Sequence, residues 1–395
     1  MLENVDFIAL AAIASKLREG MACAIPAAKN GNGADESSID LELVSDQMGG
    51  QNCHLDVIFE DGVEWIARLR LQGPTLPPQE TQRKSLASEV GTLLFLARTS
   101  LPVPKLFSHS LESGEIGSPF ILMEKMPGRP LQWPDSSAGQ KSRIMTQLVD
   151  IYLELEKHPL PATGSLCEGG VVGPFAQIHT FSTPSQSIGP FGTLEEALKS
   201  IEQHEIEMIE NGELRTLAVD NYLTHLWRLE RISELVADLT DARFYIRHFD
   251  DKGDHILVDE DYNITGIIDW ESASAESRPF AFNSPCMMWP VRDYCSGSNT
   301  LSSEEIQFAD MFRQCGRKDM EQLILQGRKY QRFLYFLGGT VPEERQRFED
   351  LFQGLRRTME GPAVNSYQDW KRRMIDGRRG EDQVLGRLIS LSAPE

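Results

Sequence analysis

The sequence predicts an α+β chain in two lobes, a small β-rich lobe and a larger, mainly helical one. Three observations predict it. Period-2 alternation runs through residues 51–71, helical spacing dominates from about residue 140 onward, and the helical half contains a small β island around 244–269. A chain of 395 residues exceeds what one small core accommodates, so two folding units or one two-lobed domain are expected.

The stretch MLENVDFIALAAIASKLREG reads as an amphipathic helix ended by Gly20. Glu3 and Asp6 precede its apolar run, where a secretory signal would carry basic residues. AIPAAKNGNGADESS, residues 24–38, is a loop by composition. A strand-rich block follows: LELVSDQ, then GGQNCHLDVIF, the turn Glu60-Asp61-Gly62, and VEWIARLRL. Leu55, Val57 and Phe59 share one face of the second segment; Trp65, Ala67 and Leu69 alternate with Ile66, Arg68 and Arg70 in the third. The Asp-Gly between them signals a hairpin. Residues 79–99 switch to helical spacing, with Leu86, Val90, Leu93, Leu94 and Ala97 on one stripe. Pro102 and Pro104 cannot continue that helix. FILMEKMPGRPL reads as a buried strand running into a Pro-Gly linker, and Thr193 with Glu196 makes a capping box for a helix to about Gly212. The expected organisation is a helix and loop at 1–38, a β-rich lobe at 39–124 and a mainly helical lobe at 125–395.

Composition narrows the function classes. The formal net charge of -20 disfavours a nucleic-acid backbone as partner. No run of 18 apolar residues occurs, so no membrane-spanning segment is expected. The six cysteines, at 23, 53, 167, 286, 295 and 315, contain no CxxC pair and read as reduced thiols of a cytoplasmic protein.

The stretch RHFDDKGDHILVDEDYNITGIIDWE, residues 247–271, holds eight acidic residues around two short apolar runs. Asp250 follows the strand-like FYIRH, and Asp269 ends the apolar run ITGIID. Between them ILVDEDYNITGII reads as a hairpin turning at 261–263, which predicts that Asp250 and Asp269 sit near one another. Close carboxylates repel unless a cation or a shared proton intervenes. A hard divalent cation prefers oxygen ligands, which makes a metal–phosphate site the natural expectation.

HFDDKGDHILVD followed by IDWE resembles the catalytic loop and metal-binding motif of protein-kinase-like phosphotransferases, and is most similar to the aminoglycoside phosphotransferase family. The family loop runs His, any residue, Asp, four residues, Asn, then an apolar strand; His248, Asp250 and Ile256-Leu257-Val258 match it. The resemblance extends over about residues 40–290. It implies a protein-kinase-like fold, with a glycine-rich turn at Gly49, Gly50 and Asn52 whose backbone cradles phosphates. It also implies Arg68 as the basic residue of the third strand, preferred by its spacing from the glycine turn over Arg70 on the same strand face, Glu89 as its helix partner, and a hinge whose backbone at Glu124 and Met126 holds the adenine ring. Asp250 is then the catalytic base and Asp269 the metal ligand. Lys252 is either directed at the transferring phosphate or an ordinary loop lysine. Glu271 reads either as a partner behind the metal site or, preferably, as an acid at a helix N-terminus.

Three departures stand out. Arg68 replaces the lysine usual in protein kinases, Phe249 replaces a small or basic residue, and His255 stands where the family has Asn. Magnesium is a hard ion that binds imidazole poorly, so His255 either ligates a softer ion such as manganese or only hydrogen-bonds. The resemblance thus implies transfer of the γ-phosphate of ATP or GTP, with Mg2+ or Mn2+, to a hydroxyl of a small molecule. The alternative is a pseudokinase or repurposed kinase fold that binds nucleotide or a small ligand without transfer.

Overall fold

The structure, a computed structural model, describes residues 5–28, 48–73, 76–176, 187–335 and 344–392. The strand expected at LELVSDQ falls on residues 41–47, outside that set. The fold is α+β, with a β-sheet unit and a larger mainly helical unit. The first unit comprises Met1–Gln132, Leu166–Val171 and Asp254–Ala273; the second comprises Trp133–Ser165, Val172–Gly253 and Ser274–Glu395. A linear division at residue 124 has no place for the two returns of the chain to the first unit.

The first unit is built on a five-stranded sheet in the order β1-β2-β3-β5-β4, with β1 Cys23–Ala24, β2 Asn52–Phe59, β3 Glu64–Arg70, β4 Leu106–Ser110 and β5 Phe120–Glu124. β2 and β3 pair antiparallel across the expected Asp-Gly turn, with Leu55 opposite Ala67 and Val57 opposite Trp65. Gly62 has φ +84, a left-handed backbone that glycine adopts without the Cβ clash of other residues. Because side chains alternate, Leu55, Val57, Phe59, Trp65, Ala67 and Leu69 all reach one face and are buried there. The N-terminal helix α1, Phe7–Leu17, is capped by Asp6 and buries Phe7, Leu10 and Ala14 in the same cluster. It therefore belongs to this core, where each fully buried large side chain contributes about 1.5–3 kcal/mol.

Helix α2, Gln79–Leu96, serves the other side, with Leu86 and Val90 packed on Ile121 of β5. Ala97, expected on the apolar stripe, is instead the exposed C-cap residue. Gly91 marks a close approach: a Cβ there would lie 2.6 Å from the Cys167 backbone carbonyl. After β5 the linker enters a three-stranded sheet in which Arg129–Pro130 and Ile264–Ile267 flank Ile256–Val258. The expected hairpin is present. Asp259 ties its turn by accepting from the backbone N–H groups of Asp261 (2.9 Å) and Asn263 (2.8 Å).

In the second unit, the strand expected at FYIRH forms as Phe244–Arg247 and pairs antiparallel with Ser274–Ser277. Thr193 caps the helix Leu194–Glu210 by accepting from Glu196 N, as its spacing predicts. That helix and Ala218–Val236 bury a charged group between them, Glu202 with His225 (2.8 Å) and Arg228 (2.7 Å).

Candidate functional site

Strand alternation puts Arg68 and Arg70 on the same face of β3, opposite the apolar face. Both are buried, and a buried guanidinium requires counter-charge. α2 supplies part of it, because Ser85 and Glu89 lie four residues apart and so on one helix face. The short loop after Ile264–Ile267 supplies the rest. Arg68 donates through Nη1 to Glu89 and through Nη2 to Glu271, and also reaches Asp269 Oδ1 at 3.2 Å. Arg70 Nη2 lies 2.7 Å from Glu271 Oε1, while its Nη1 donates to Asn52 Oδ1 at 3.1 Å. Asn52 Nδ2 donates to Glu271 Oε2 at 2.9 Å, and Ser85 Oγ to Glu271 Oε1 at 3.0 Å.

The electrostatics follow from two guanidiniums facing three carboxylates. Burial alone would lower the Arg68 pKa, but Glu89, Glu271 and Asp269 outweigh it and raise it. Burial pushes the Glu89 carboxyl up to about 7; Arg68 opposes the shift, and Glu271 and Asp269 add to it. Burial acts the same way on Glu271, but Arg68 and Arg70 more than offset it and hold that group at about 2. Glu271 is thus far better neutralised than Glu89. Side-chain exposure separates the roles further, at 55% for Asp269 and 3% for Arg68. Asp269 is open to a ligand; Arg68 is enclosed by its carboxylates.

The structure pairs Arg68 with Glu89 and adds Asp269 to them. Asn52 starts β2 with its side chain turned inward to Arg70 and Glu271. Gly49 N donates to Asn52 O at 2.8 Å, closing the glycine turn, and a Cβ on Gly50 would meet nothing within 4 Å. Open space above that residue leaves its backbone accessible. Glu124 N donates to Lys105 O at 2.9 Å, so of its backbone groups only the carbonyl could serve a base. Met126 packs its side chain against Gly266. His255 is buried, and its carbonyl accepts from Ile268 N at 2.9 Å at the base of the hairpin.

Glu271 precedes the strand Ser274–Ser277, not a helix, so the preference for a helix N-terminal acid is corrected. Its acidity is satisfied by guanidiniums instead. From sequence Arg70 was only the rival of Arg68, two residues on along the same strand face; the structure brings both to Glu271. Ser85 was not singled out, because a helical serine has no distinguishing pattern.

Asp250 and Lys252 belong to the second unit. Lys252 Nζ lies 2.8 Å from Asp250 Oδ2, and both side chains are exposed. The loop that carries them is braced by its own unit: Asp251 O accepts from Met287 N at 3.2 Å, and Gly253, at φ +110, abuts Met287. Among the described residues, no group of three or more His, Cys, Asp or Glu side chains is arranged to hold a metal. A small hard cation needs only one or two protein carboxylates when waters and phosphates supply its other oxygens, and the half-exposed Asp269 fits that demand.

The β-sheet unit thus holds a buried Arg–Glu pair beside an exposed aspartate, and the helical unit holds a braced aspartate loop. The chain belongs to the phosphotransferase enzyme family, whose model matches residues 57–278. It is 24% identical over 249 residues to the clavilactone A biosynthesis cluster protein Y of Ampulloclitocybe clavipes, covering 60% of this chain and 62% of that protein. Among solved structures it is similar to the ADP-bound aminoglycoside phosphotransferase APH(2'')-Ib, at 12% identity and TM-score 0.49, covering 79% of this chain and 92% of that one. It is also similar to a thermostable mutant of aminoglycoside phosphotransferase APH(4)-Ia in ternary complex with ADP and hygromycin B, at 13% identity and TM-score 0.49, covering 82% and 98%. No helix among the described residues is long and apolar enough to cross a membrane.

Proposed function

We propose that this protein transfers the γ-phosphate of ATP or GTP to a hydroxyl group of a small molecule. The observation that carries the reading is the Arg68–Glu89 pair with Asp269 3.2 Å from the same guanidinium, all within the β-sheet unit that holds the glycine turn. In this reading Asp250 accepts the hydroxyl proton as the acceptor oxygen bonds to the γ-phosphorus. The bond to the β-phosphate oxygen breaks and the nucleoside diphosphate leaves. Lys252, paired with Asp250, holds positive charge at the transferring group. Asp269 would hold Mg2+, with His255 as its neighbour if the ion is Mn2+, and the cation would neutralise charge between the β- and γ-phosphates. Asp250 and Arg68 contribute positioning and charge, since phosphoryl transfer asks little covalent chemistry of the protein. Small-molecule kinase activity suits a cytoplasmic protein acting on a metabolite, without nucleic acid or membrane.

The alternative, nucleotide binding without transfer, is favoured by one observation: His255 occupies the position where a second oxygen ligand is expected. The variant Asp250→Asn separates the two. If Asp250 is the base, nucleotide affinity stays nearly unchanged while acceptor-dependent ADP or GDP release falls by a factor of ~100 or more. Equal release by wild type and variant would remove Asp250 from the chemistry, and a comparable loss of nucleotide affinity would make it a metal ligand.

A further inference from the structure

We propose that Glu271 is an internal anion seated in a phosphate cradle, and that nucleotide phosphate competes with it for the same donors. This rests on the nucleotide reading above. Four donors converge on the one carboxylate: Arg68, Arg70 at 2.7 Å, Asn52 at 2.9 Å and Ser85 at 3.0 Å. They come from the start of β2, from two positions of β3 and from α2, so three separate elements build the site. Two guanidiniums and two neutral donors around one oxyanion form the donor set that recognises phosphate oxygens.

The occupant is carried on a segment with strained backbone. Asp269 has φ +60 and Ser272 has φ +66, both non-glycine residues in the left-handed region, and they flank Trp270 and Glu271. Such backbone is strained for an L-residue, and it persists only while surrounding contacts hold it. The contacts that hold Glu271 are the four donors. A polyphosphate that takes over those donors removes the restraint, and the loop can relax.

Charge sets the direction. With Glu271 in place the cluster carries Arg68 and Arg70 against Glu89, Asp269 and Glu271, so an incoming phosphate meets a net negative site. With Glu271 withdrawn, the two guanidiniums are opposed by Glu89 and Asp269 alone. Phosphate affinity in the wild type is therefore reduced by the fraction of molecules in which the cradle is open. The same arrangement explains why Arg68 is enclosed although a phosphate contact is expected of it.

The test is calorimetric titration of inorganic pyrophosphate, without metal, into the full chain and into Glu271→Gln, which keeps the size of the side chain and removes its charge. The variant is expected to bind pyrophosphate, and likewise metal-free ATP, about tenfold tighter or more, if about a tenth or less of the wild type is open. Pyrophosphate should also raise the melting temperature of Glu271→Gln more than that of wild type. Affinity equal to or weaker than wild type overturns the proposal and makes Glu271 a post that holds the arginines for nucleotide. Should Glu271→Gln fail to fold, Glu271→Asp keeps the charge but reaches the donors poorly; it should change affinity in the same direction, and no gain there overturns the proposal equally. A gain with pyrophosphate in a protein that binds neither ATP nor GTP with magnesium supports the cradle and removes the nucleotide reading. Magnesium–nucleotide binding by wild type without any gain in the variants does the reverse.

Discussion

Arg68 is the residue on which the first unit turns, because one buried guanidinium touches Glu89, Asp269 and Glu271 together. Its partners titrate in opposite directions, which gives a pH signature. Glu89 is raised to about 7. A carboxyl whose folded pKa lies above its unfolded value near 4.5 holds a proton that the unfolded chain has lost, so its burial costs stability progressively as pH rises from about 4.5 through 7. Glu271, held at about 2, does the opposite: its contribution is present above about 4.5 and is lost as pH falls toward 2. The variant Glu89→Gln should therefore gain stability relative to wild type between pH 5 and pH 8, by up to about 3 kcal/mol. Urea unfolding at the two pH values measures this, and a difference that does not change with pH contradicts the raised Glu89. His255 offers a second residue-scale test. His255→Asn supplies the oxygen ligand that magnesium prefers, so magnesium-supported transfer should be maintained or improved and any preference for manganese should shrink. Loss of activity with both ions would place His255 in a structural role. Arg68, Glu89 and Asp269 were legible in the sequence because motif spacing names them. Glu271 was misjudged because an acid after a short strand looks the same whether a helix or a guanidinium awaits it.

The strands and helices that carry the site were legible to the extent that one periodicity governed them. β2 and β3 follow strict alternation with an Asp-Gly turn, and the hairpin closes in the expected register, with Leu55 opposite Ala67. The hairpin from Ile256 to Ile267 was recoverable from its two short apolar runs on either side of the turn at 261–263. What alternation does not report is the identity of the neighbour on each face. β3 shows Arg68 and Arg70 alternating with apolar residues, a pattern normally read as a solvated face, yet α2 covers them and both are buried. Close backbone approaches are likewise silent in sequence. Gly91 looks like a weak point of α2 until its Cβ position is seen 2.6 Å from the Cys167 carbonyl. Gly91→Ala should therefore destabilise the first unit by about 1–3 kcal/mol, despite alanine's better helix propensity. An unchanged or raised midpoint in denaturant would show that α2 shifts freely to admit the methyl group.

For the whole molecule, the sequence shows two units but not how the chain threads them. Residues 166–171 and 254–273 return to the first unit, and the second of these segments brings Asp269 and Glu271 to the β-sheet while Asp250 and Lys252 stay with the helical unit. The proposed phosphate and metal groups Arg68 and Asp269 thus lie in one unit and the proposed base Asp250 in the other, so the two proposed roles can be tested by separate substitutions. The acceptor was not legible, because the helices of the second unit carry no motif that names a ligand. The most direct measurement is the melting temperature of wild type, Asp269→Asn and Asp250→Asn with ATP or GTP and magnesium or manganese. Ligand at 100 times its Kd stabilises the folded state by about 2.7 kcal/mol, so wild type and Asp250→Asn should show a clear upward shift that Asp269→Asn loses. If no combination of nucleotide and metal at millimolar concentration shifts the wild type, this protein is not a nucleotide-dependent phosphotransferase.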